Sequence, residues 1–163
     1  MPHIQIGLKG QGEMVVEHQD LASVMGNIGA EVLSTHRVVL LMEMAARNAI
    51  KDCVPEGKMT VGTFIRIQHL AATPLGSKVR AEASLKGMDG RKLTFDVAAY
   101  DEFEKIAEGE NEQLIVPIDT FLARIQKKTP SQIPLSADES AGVLTTRQTY
   151  SSSNLIRQRI FPV

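Results

Sequence analysis

The chain has 163 residues, of which 43% are hydrophobic and 23% charged, and its formal net charge at pH 7 is −1. This length suits one domain with a substantial core, and the balanced charge excludes a general electrostatic attraction to nucleic acid or to an anionic membrane. The single cysteine, Cys53, excludes an internal disulfide framework and a cysteine-rich metal site. Because the amino terminus lacks the apolar run of a signal peptide, we expect a cytoplasmic protein.

The first half of the chain predicts an early strand and then one long helix. Alternating residues in Gly12–His18 are typical of a strand. From Thr35 to about Cys53 the apolar residues surround the helix axis, which predicts a buried helix of roughly 27 Å. Ser34 or Thr35 can supply the N-cap oxygen, and the Pro and Gly of "VPEGK" (Val54 to Lys58) end the helix.

Beyond this helix the apolar period becomes two, which indicates strands. The predicted strands are Thr63–Leu70, Ser77–Gly87, Arg91–Glu102 and Glu104–Ile118. "MDG" (Met88 to Gly90) joins the middle two as a hairpin turn. Strands of this length match the long helix, so the sequence predicts an α+β fold in which an antiparallel sheet, apolar on one face, covers the helix.

The carboxyl-terminal part divides into a short helix and a tail. Ile118–Lys128 is amphipathic, and Asp119 is a plausible cap. We therefore place the domain at residues 1–128. Residues 129–163 are rich in Ser, Thr, Gln and Pro, and predict a tail that is either flexible or docked against the domain or a second subunit.

One carboxylate, Glu43, lies among eight apolar neighbours in "VVLLMEMAA" (Val38 to Ala46). A buried, unpaired charge is costly, so this side chain needs a partner or a function. Arg47, one helical turn on, offers a purely structural ion pair. Glu43 and Arg47 share one side of the helix with His36 and Lys51, which could be a row of solvent-exposed polar residues. However, apolar residues project among them, which favours the wall of a pocket.

Two further side chains converge on the same region. His69 alternates in phase with Ile65 and Ile67, so its imidazole is predicted to face the helix, either as a hydrogen-bonded core residue or as a catalytic group. Thr35 lies at the helix start, where backbone N–H groups favour developing negative charge. It can act as an N-cap, as a catalytic residue, or as both.

Several segments carry a resemblance to a known family. "VLSTHRVVLLMEMAARNAI", "PEGKMTVGTFIRIQHLAATPLGSKVRAEASL", "DGRKLTFDVAAYDEFEKIAEG" and "FLARIQKKTP" together resemble the hotdog-fold acyl-CoA thioesterases of the fluoroacetyl-CoA thioesterase type, from about Ala30 to Pro130. The resemblance implies a homodimeric hotdog fold with active sites near the subunit interface. It also implies that Thr35, Glu43 and His69 are catalytic, and that the backbone N–H of Gly62 binds the substrate thioester.

The activity so implied is hydrolysis of a small acyl-CoA thioester. In this hypothesis Glu43 attacks the acyl carbon or deprotonates water, His69 transfers a proton or orients its partner, and Thr35 positions the carboxylate. No metal or cofactor is expected, since CoA is part of the substrate. The alternative is a hotdog module that binds or senses acyl-CoA without hydrolysing it. A hotdog hydratase is a weaker option, because we find no Asp and His pair on a short motif at the helix start.

The sequence also departs from this family at several positions, one of them His36, where small residues or proline are usual. Where relatives commonly read "GTHER", this chain reads "GENEQ" (Gly109 to Gln113), so a histidine and an arginine are missing and two carboxylates are added. Gln113 can donate hydrogen bonds but brings no charge. The segment "LASVMGNIGA" (Leu21 to Ala30) has no aromatic residue, so fluoroacetyl-CoA is not assigned as the substrate.

Overall fold

The computed structural model describes residues 3–128, in which a curled five-stranded antiparallel sheet packs against one long helix. The predicted tail, residues 129–163, lies outside the described residues. In chain order the elements are β1 (Lys9–Val15), α1 (Thr35–Ile50), β2 (Lys58–His69), β3 (Lys78–Asp89), β4 (Lys92–Tyr100), β5 (Lys105–Pro117) and α2 (Ile118–Gln126). No helix within residues 3–128 has both the length and the apolar character that a membrane crossing requires.

The strand order is β1-β3-β4-β5-β2, and every neighbouring pair is antiparallel. The two-residue connection after Asp89 contains Gly90 with φ +56°, a value that glycine adopts without steric cost, so the predicted hairpin is present. β1 and β2 are the edges of the sheet. β2 is twelve residues long and pairs only with β5 among the described strands, which leaves its other edge open.

The core lies between α1 and the inner face of the sheet. Alternate residues of β3 and β4 are almost fully buried there: Val79, Ala81, Ala83, Leu85, Leu93, Phe95, Val97 and Ala99. The helix contributes one apolar side: Val38, Leu41, Met42, Ala45, Ala46, Ala49 and Ile50. On its other side Leu40 and Met44 are 38% and 40% exposed. The sequence predicted a helix buried on all sides, but within a single chain α1 is buried on one side only.

β2 begins five residues before its predicted start. A β-bulge causes the difference: Gly62 pairs with Gln113 and Phe64 with Glu112, so Thr63 is an extra residue. The bulge shifts the period-two pattern by one residue, which made the alternation seem to begin at Thr63. In a regular strand, residues 62 and 65 would lie on opposite faces. Because of the bulge, Gly62 and Ile65 both face the helix, since they pair with the buried Gln113 and Asn111.

Asp20 fixes the start of α1. Its backbone carbonyl accepts a hydrogen bond from the Ser34 N–H at 2.9 Å, and its buried carboxylate lies 2.5 Å from Nε of Arg37. The second carboxylate oxygen accepts a hydrogen bond from the Glu17 N–H at 2.9 Å. These contacts join the chain before the helix to the first helical turn, which carries Thr35.

The helix ends differ modestly from the predictions. α1 ends at Ile50 and continues as a turn to Cys53, whose N–H donates to the Ile50 carbonyl. α2 begins at Ile118, so Asp119 lies inside its first turn instead of capping it, and Pro117 occupies the N-cap position. The proline ring fixes φ, here at −67°, and a ψ of 130° places Pro117 in the extended region typical of a cap.

Candidate active site

Thr35 and His69 are hydrogen-bonded to each other. Thr35 is the first residue of α1 and His69 is the last residue of β2, and the start of the helix lies over the end of the strand. The Thr35 Oγ1 and His69 Nδ1 atoms are 2.9 Å apart. Ser34, not Thr35, occupies the N-cap position, so the threonine hydroxyl is free to engage the imidazole. The predicted inward orientation of His69 is therefore observed.

The environment of His69 favours the neutral ring. Burial lowers the pKa of His69 below its usual value of 6.5, because desolvation disfavours the imidazolium, while the backbone at Ala71 acts in the opposite direction. The other ring nitrogen, Nε2, is buried and makes no hydrogen bond within residues 3–128. A neutral imidazole with one uncommitted nitrogen can accept or donate a proton near neutral pH.

An open cleft of about 580 Å³ lies beside this pair. Thr35, His36 and His69 form its polar wall, and apolar side chains form most of the remainder: Ala22, Met25, Ala30, Val32, Leu70 and Ala71. The segment before α1 contributes Ala22, Met25, Asn27 and Ala30 to the wall, and none of these is aromatic. The cleft therefore offers an open, partly apolar volume directly beside a hydroxyl and an imidazole.

Glu43 and Gly62 form a second contact, two helical turns farther along α1. A Cβ atom added to Gly62 would lie 2.6 Å from Oε1 of Glu43, so the carboxylate rests directly against the glycine backbone. Any larger residue at position 62 would displace it. Glu43 is half-buried, and neither it nor Arg47 takes part in an ion pair within the described residues. The structural alternative, a Glu43–Arg47 pair, is thus absent there.

Two buried amides lie beneath Glu43. Gln113 is 1% exposed, and its Nε2 donates to the backbone carbonyl of Glu43 at 3.4 Å and to Oδ1 of Asn111 at 3.2 Å. Asn111 is fully buried, and its Nδ2 donates to the carbonyl of Phe64 at 3.1 Å. Sequence reasoning missed Asn111, although its phase with the inward-facing Ile115 marked it as a polar residue on the apolar face of a strand.

The added carboxylates of "GENEQ" lie elsewhere. Glu110 and Glu112 alternate with the buried Asn111 and Gln113, and therefore lie on the opposite face of the sheet. Their oxygens lie 2.5 Å and 3.0 Å from the ammonium groups of Lys86 and Lys92. Because each carboxylate has a cationic partner on the face away from the helix, neither opposes an anionic ligand at the Thr35 cleft.

A single chain does not bring all four predicted site residues together. Glu43 lies eight residues after Thr35 on α1, a rise of about 12 Å. His69 lies seven residues after Gly62 on β2, which spans about 23 Å. The predicted site residues therefore form two separate contacts, Thr35 with His69 and Glu43 with Gly62, which we call half-sites, and Glu43 is absent from the residues that line the cleft.

No group of three or more His, Cys, Asp or Glu side chains within residues 3–128 is arranged to hold a metal ion. The chemical groups that these half-sites provide are a carboxylate, an imidazole, a hydroxyl and the backbone around Gly62. Such groups suit proton transfer and attack on a carbonyl carbon.

A curled antiparallel sheet around one long helix is the hotdog fold, and a threonine–histidine pair at the helix start with a carboxylate in its middle is the arrangement that the sequence predicted for a thioesterase. Comparison with known proteins supports this class. The family model described as fluoroacetyl-CoA-specific thioesterase matches residues 16–119, more than half of the chain. The chain belongs to the fluoroacetyl-CoA-specific thioesterase family.

Individual relatives agree with this assignment. A fluoroacetyl-CoA thioesterase from Streptantibioticus cattleyicolor is 36% identical over 101 residues, which cover 62% of this chain and 73% of the relative. A solved structure of the fluoroacetyl-CoA thioesterase FlK has a TM-score of 0.72 at 30% identity, covering 79% of this chain and all of the other. A hot-dog-like protein from Thermanaerovibrio acidaminovorans, with a TM-score of 0.72 at 21% identity, covers 79% of this chain and 96% of the other, and supports the fold alone.

These findings confirm the predicted α+β hotdog fold and the predicted enzyme class, a thioesterase. The prediction of an acyl-CoA thioesterase is confirmed at the level of the family. The catalytic roles of Thr35, Glu43 and His69, and the substrate-binding role of Gly62, stay predictions.

Proposed function

We propose that this protein hydrolyses a small acyl-CoA thioester to the free acid and CoA, with Glu43 as the nucleophile or general base. The observation that supports this role is the position of the Glu43 carboxylate, which rests against Gly62 with no ion-pair partner among the described residues. A half-buried carboxylate with a free oxygen beside an exposed strand edge is accessible to a substrate carbonyl.

Two routes lead to the same products. In the first, a Glu43 oxygen attacks the acyl carbon, the carbon–sulfur bond breaks to release the CoA thiolate, and water then hydrolyses the acyl–enzyme anhydride. In the second, Glu43 removes a proton from water, and the resulting hydroxide attacks the acyl carbon directly. In both routes the backbone N–H of Gly62 donates a hydrogen bond to the oxyanion, and the neutral His69 relays to the CoA thiolate a proton that the attacking water releases. Thr35 orients the imidazole through its hydroxyl.

The proposed chemistry requires a homodimer, since one chain separates the two half-sites. The open edge of β2 can pair with the same edge of a second copy, because an unpaired strand edge is a template for another strand. An antiparallel pairing around a two-fold axis near Ile65 and Arg66 would place Gly62 opposite His69 of the partner subunit. Each active site would then combine Glu43 and Gly62 of one subunit with Thr35 and His69 of the other.

Exposed apolar side chains beside this edge support the same arrangement. Phe64 on β2 is 46% exposed, and Leu40 and Met44 on α1 are 38% and 40% exposed. Leu40 lies about one helical turn before Glu43 on the side of the helix that the chain's own core leaves uncovered. A second subunit that covers this region would explain why a helix with apolar residues on all sides is buried on only one side within a single chain.

The acyl group is proposed to be small and apolar. Apart from its polar wall, the cleft beside Thr35 and His69 is lined mostly by apolar side chains, and its volume of about 580 Å³ accommodates a short alkyl chain and part of the pantetheine arm. One FlK structure is a complex with acetyl-CoA, and the relatives are named for fluoroacetyl-CoA. Because the segment before α1 brings no aromatic side chain to this cleft, we do not propose selectivity for the fluorinated substrate. The expected cytoplasmic location stays a prediction.

The test is a panel of straight-chain acyl-CoAs, incubated with the full chain while free thiol is measured. We expect turnover of short acyl-CoAs and a loss of at least about 100-fold in Glu43→Gln, because the amide can neither attack nor accept the proton. Glu13→Gln, a change in an exposed carboxylate on β1, is the matched control and should retain parental activity. Parental activity in Glu43→Gln, or binding of acyl-CoA without thiol release by the parent, would contradict the proposal.

A further inference from the structure

The amides of Asn111 and Gln113 form a continuous chain of hydrogen bonds between β2, β5 and α1. It runs from the Phe64 carbonyl to Asn111 at 3.1 Å, from Asn111 to Gln113 at 3.2 Å, and from Gln113 to the Glu43 carbonyl at 3.4 Å. We refer to these two side chains as the amide pair. Its ends are the residue that follows the β-bulge and the helical residue that carries the proposed catalytic carboxylate.

The amide pair occupies positions where apolar residues would be expected. Asn111 and Gln113 are 0% and 1% exposed and lie on the inner face of the sheet. Burying amides is costly unless their polar atoms are hydrogen-bonded, and Oε1 of Gln113 has no partner within residues 3–128. Two apolar side chains would avoid this cost, so stability of the core alone does not explain the amides.

The bond to the Glu43 carbonyl does not serve to complete the helix. That carbonyl lies in the middle of α1, where the backbone N–H four residues later supplies the regular helical hydrogen bond. Gln113 is therefore a second donor to an oxygen that already has one. Its consequence is geometric, because it restrains the turn of α1 that bears Glu43 against β5.

The register of the sheet makes this restraint relevant to the site. Gln113 is the direct pairing partner of Gly62, and the Glu43 carboxylate rests against Gly62. Gln113 thus restrains both partners of this contact. Its backbone pairs with Gly62, and its side chain donates a hydrogen bond to the backbone carbonyl of Glu43. Asn111 adds a bond to the far side of the bulge at Phe64.

We propose that Asn111 and Gln113 are positioning residues, which hold the Glu43 turn of α1 over the β2 bulge so that the carboxylate stays aligned with Gly62. This inference rests on the proposed catalytic role of Glu43. It assigns a function to Gln113, which the sequence presented only as the loss of a basic residue. The amide pair acts through the helix backbone and does not touch the substrate.

The experiment compares kcat and KM of the full-length parent with those of Gln113→Met, which keeps a similar volume and removes the amide. We expect kcat to fall about 10- to 100-fold while KM stays within about twofold, because a shift of about 1 Å in a reacting group has effects of this size. Circular dichroism and thermal unfolding establish that the variant is folded. Gln113→Asn, which keeps an amide but shortens its reach by one methylene group, should also lower kcat.

Asn48→Ala is the matched control. The Asn48 side-chain amide donates to the Gln11 carbonyl at 2.7 Å, so it also joins α1 to a strand, but to β1 and away from Gly62. This control should lower the melting temperature and leave kcat within about twofold of the parent. An equal loss of kcat in Asn48→Ala would overturn the inference, since it would reveal an effect of general loosening of the helix.

The remaining outcomes separate this inference from the proposed function. If Glu43→Gln is inactive while a folded Gln113 variant keeps parental kcat, the positioning role is wrong and the catalytic role stands. If Glu43→Gln keeps parental activity, the catalytic role of Glu43 in the proposed function is wrong, and the positioning role that rests on it is wrong as well. If neither Gln113 variant folds, the amide is required for the fold as a whole, and the specific positioning role is overturned.

Discussion

Co-expression of two inactive variants should restore activity, because each proposed active site draws on both subunits. Glu43→Gln leaves Thr35 and His69 intact, and His69→Ala leaves Glu43 and Gly62 intact. Each homodimer carries two defective sites. In the mixed dimer, one site combines both defects and the other combines two intact half-sites, so one functional site is regenerated.

The expected magnitude follows from the two-fold symmetry. Random assembly of equal amounts of two subunits yields mixed dimers as about half of the population, and each of these has one intact site out of two. Total activity should therefore reach about one quarter of that of the parent at equal protein concentration. Dimers isolated through two different affinity tags are all mixed, and should reach about one half.

The assay is thiol release from a short acyl-CoA by co-expressed and doubly purified protein. A second pairing provides the control: Thr35→Ala with His69→Ala. These two residues hydrogen-bond within one chain at 2.9 Å, so every mixed dimer has a defect in both of its sites. This pairing should restore no activity.

Absence of restored activity in the Glu43→Gln and His69→Ala dimer would refute the shared site, provided that the doubly tagged dimer is recovered. Restored activity in the control pairing would refute the assignment of Thr35 and His69 to the same half-site. A monomer with parental activity in dilute solution would contradict the underlying geometry, since the half-sites of one chain are about 12 Å apart along α1.

Three further predictions concern single residues. Gly62→Ala should remain folded but lose about 100-fold in kcat, because the added Cβ would lie 2.6 Å from the Glu43 Oε1 atom and displace the carboxylate. The melting temperature should fall as the pH drops below about 6.5, since the lowered pKa of His69 means that the unfolded chain binds the proton more readily. Asp20→Ala should lower the free energy of unfolding by about 1–3 kcal/mol, measured by denaturant titration, because it removes the carboxylate that pairs with the buried Nε atom of Arg37 and accepts from the Glu17 N–H.

Each of these has its own control. Gly87→Ala, at the bulge of β3, meets its nearest atom at an ordinary 3.7 Å and should be tolerated; equal losses in both glycine variants would indicate general strain. His69→Gln should remove part of the acid-dependent loss of stability, and an unchanged profile would assign that loss to other groups. Glu82→Gln, in an exposed ion pair, should change stability by less than about 1 kcal/mol, and a loss equal to that in Asp20→Ala would contradict the burial argument.

The fold followed from the sequence wherever one periodicity persisted. The alternation of β3 up to Leu85 and of β4 predicted their buried faces correctly, because both strands keep the same face toward the helix there. β2 was predicted with the wrong start, since the extra residue at Thr63 changes the phase of the alternation. A bulge depends on the register with β5, which lies some fifty residues away in the chain.

The candidate site was predictable in part for a similar reason. The orientation of His69 follows from local alternation, and Thr35 follows from the helix start, so their contact was foreseeable. The contact of Glu43 with Gly62 depends on the distance between α1 and β2 and on how the two are aligned. No local sequence pattern predicts either quantity. The amide of Gln113 was visible as a polar residue at an inward position, but its acceptor on the helix was not.

In the proposed mechanism, the position of Glu43 makes catalysis depend on dimer formation. Its helix runs antiparallel to β2, so the histidine at the end of that strand meets Thr35 at the helix start and leaves the carboxylate two turns away. Gly62 leaves room for the carboxylate against the strand backbone beside the open edge, so in the proposed mechanism the imidazole at this position comes from a second chain. Association would then complete the active site as well as cover the apolar residues near it, so that a change weakening the β2 edge should lower activity and dimer stability together.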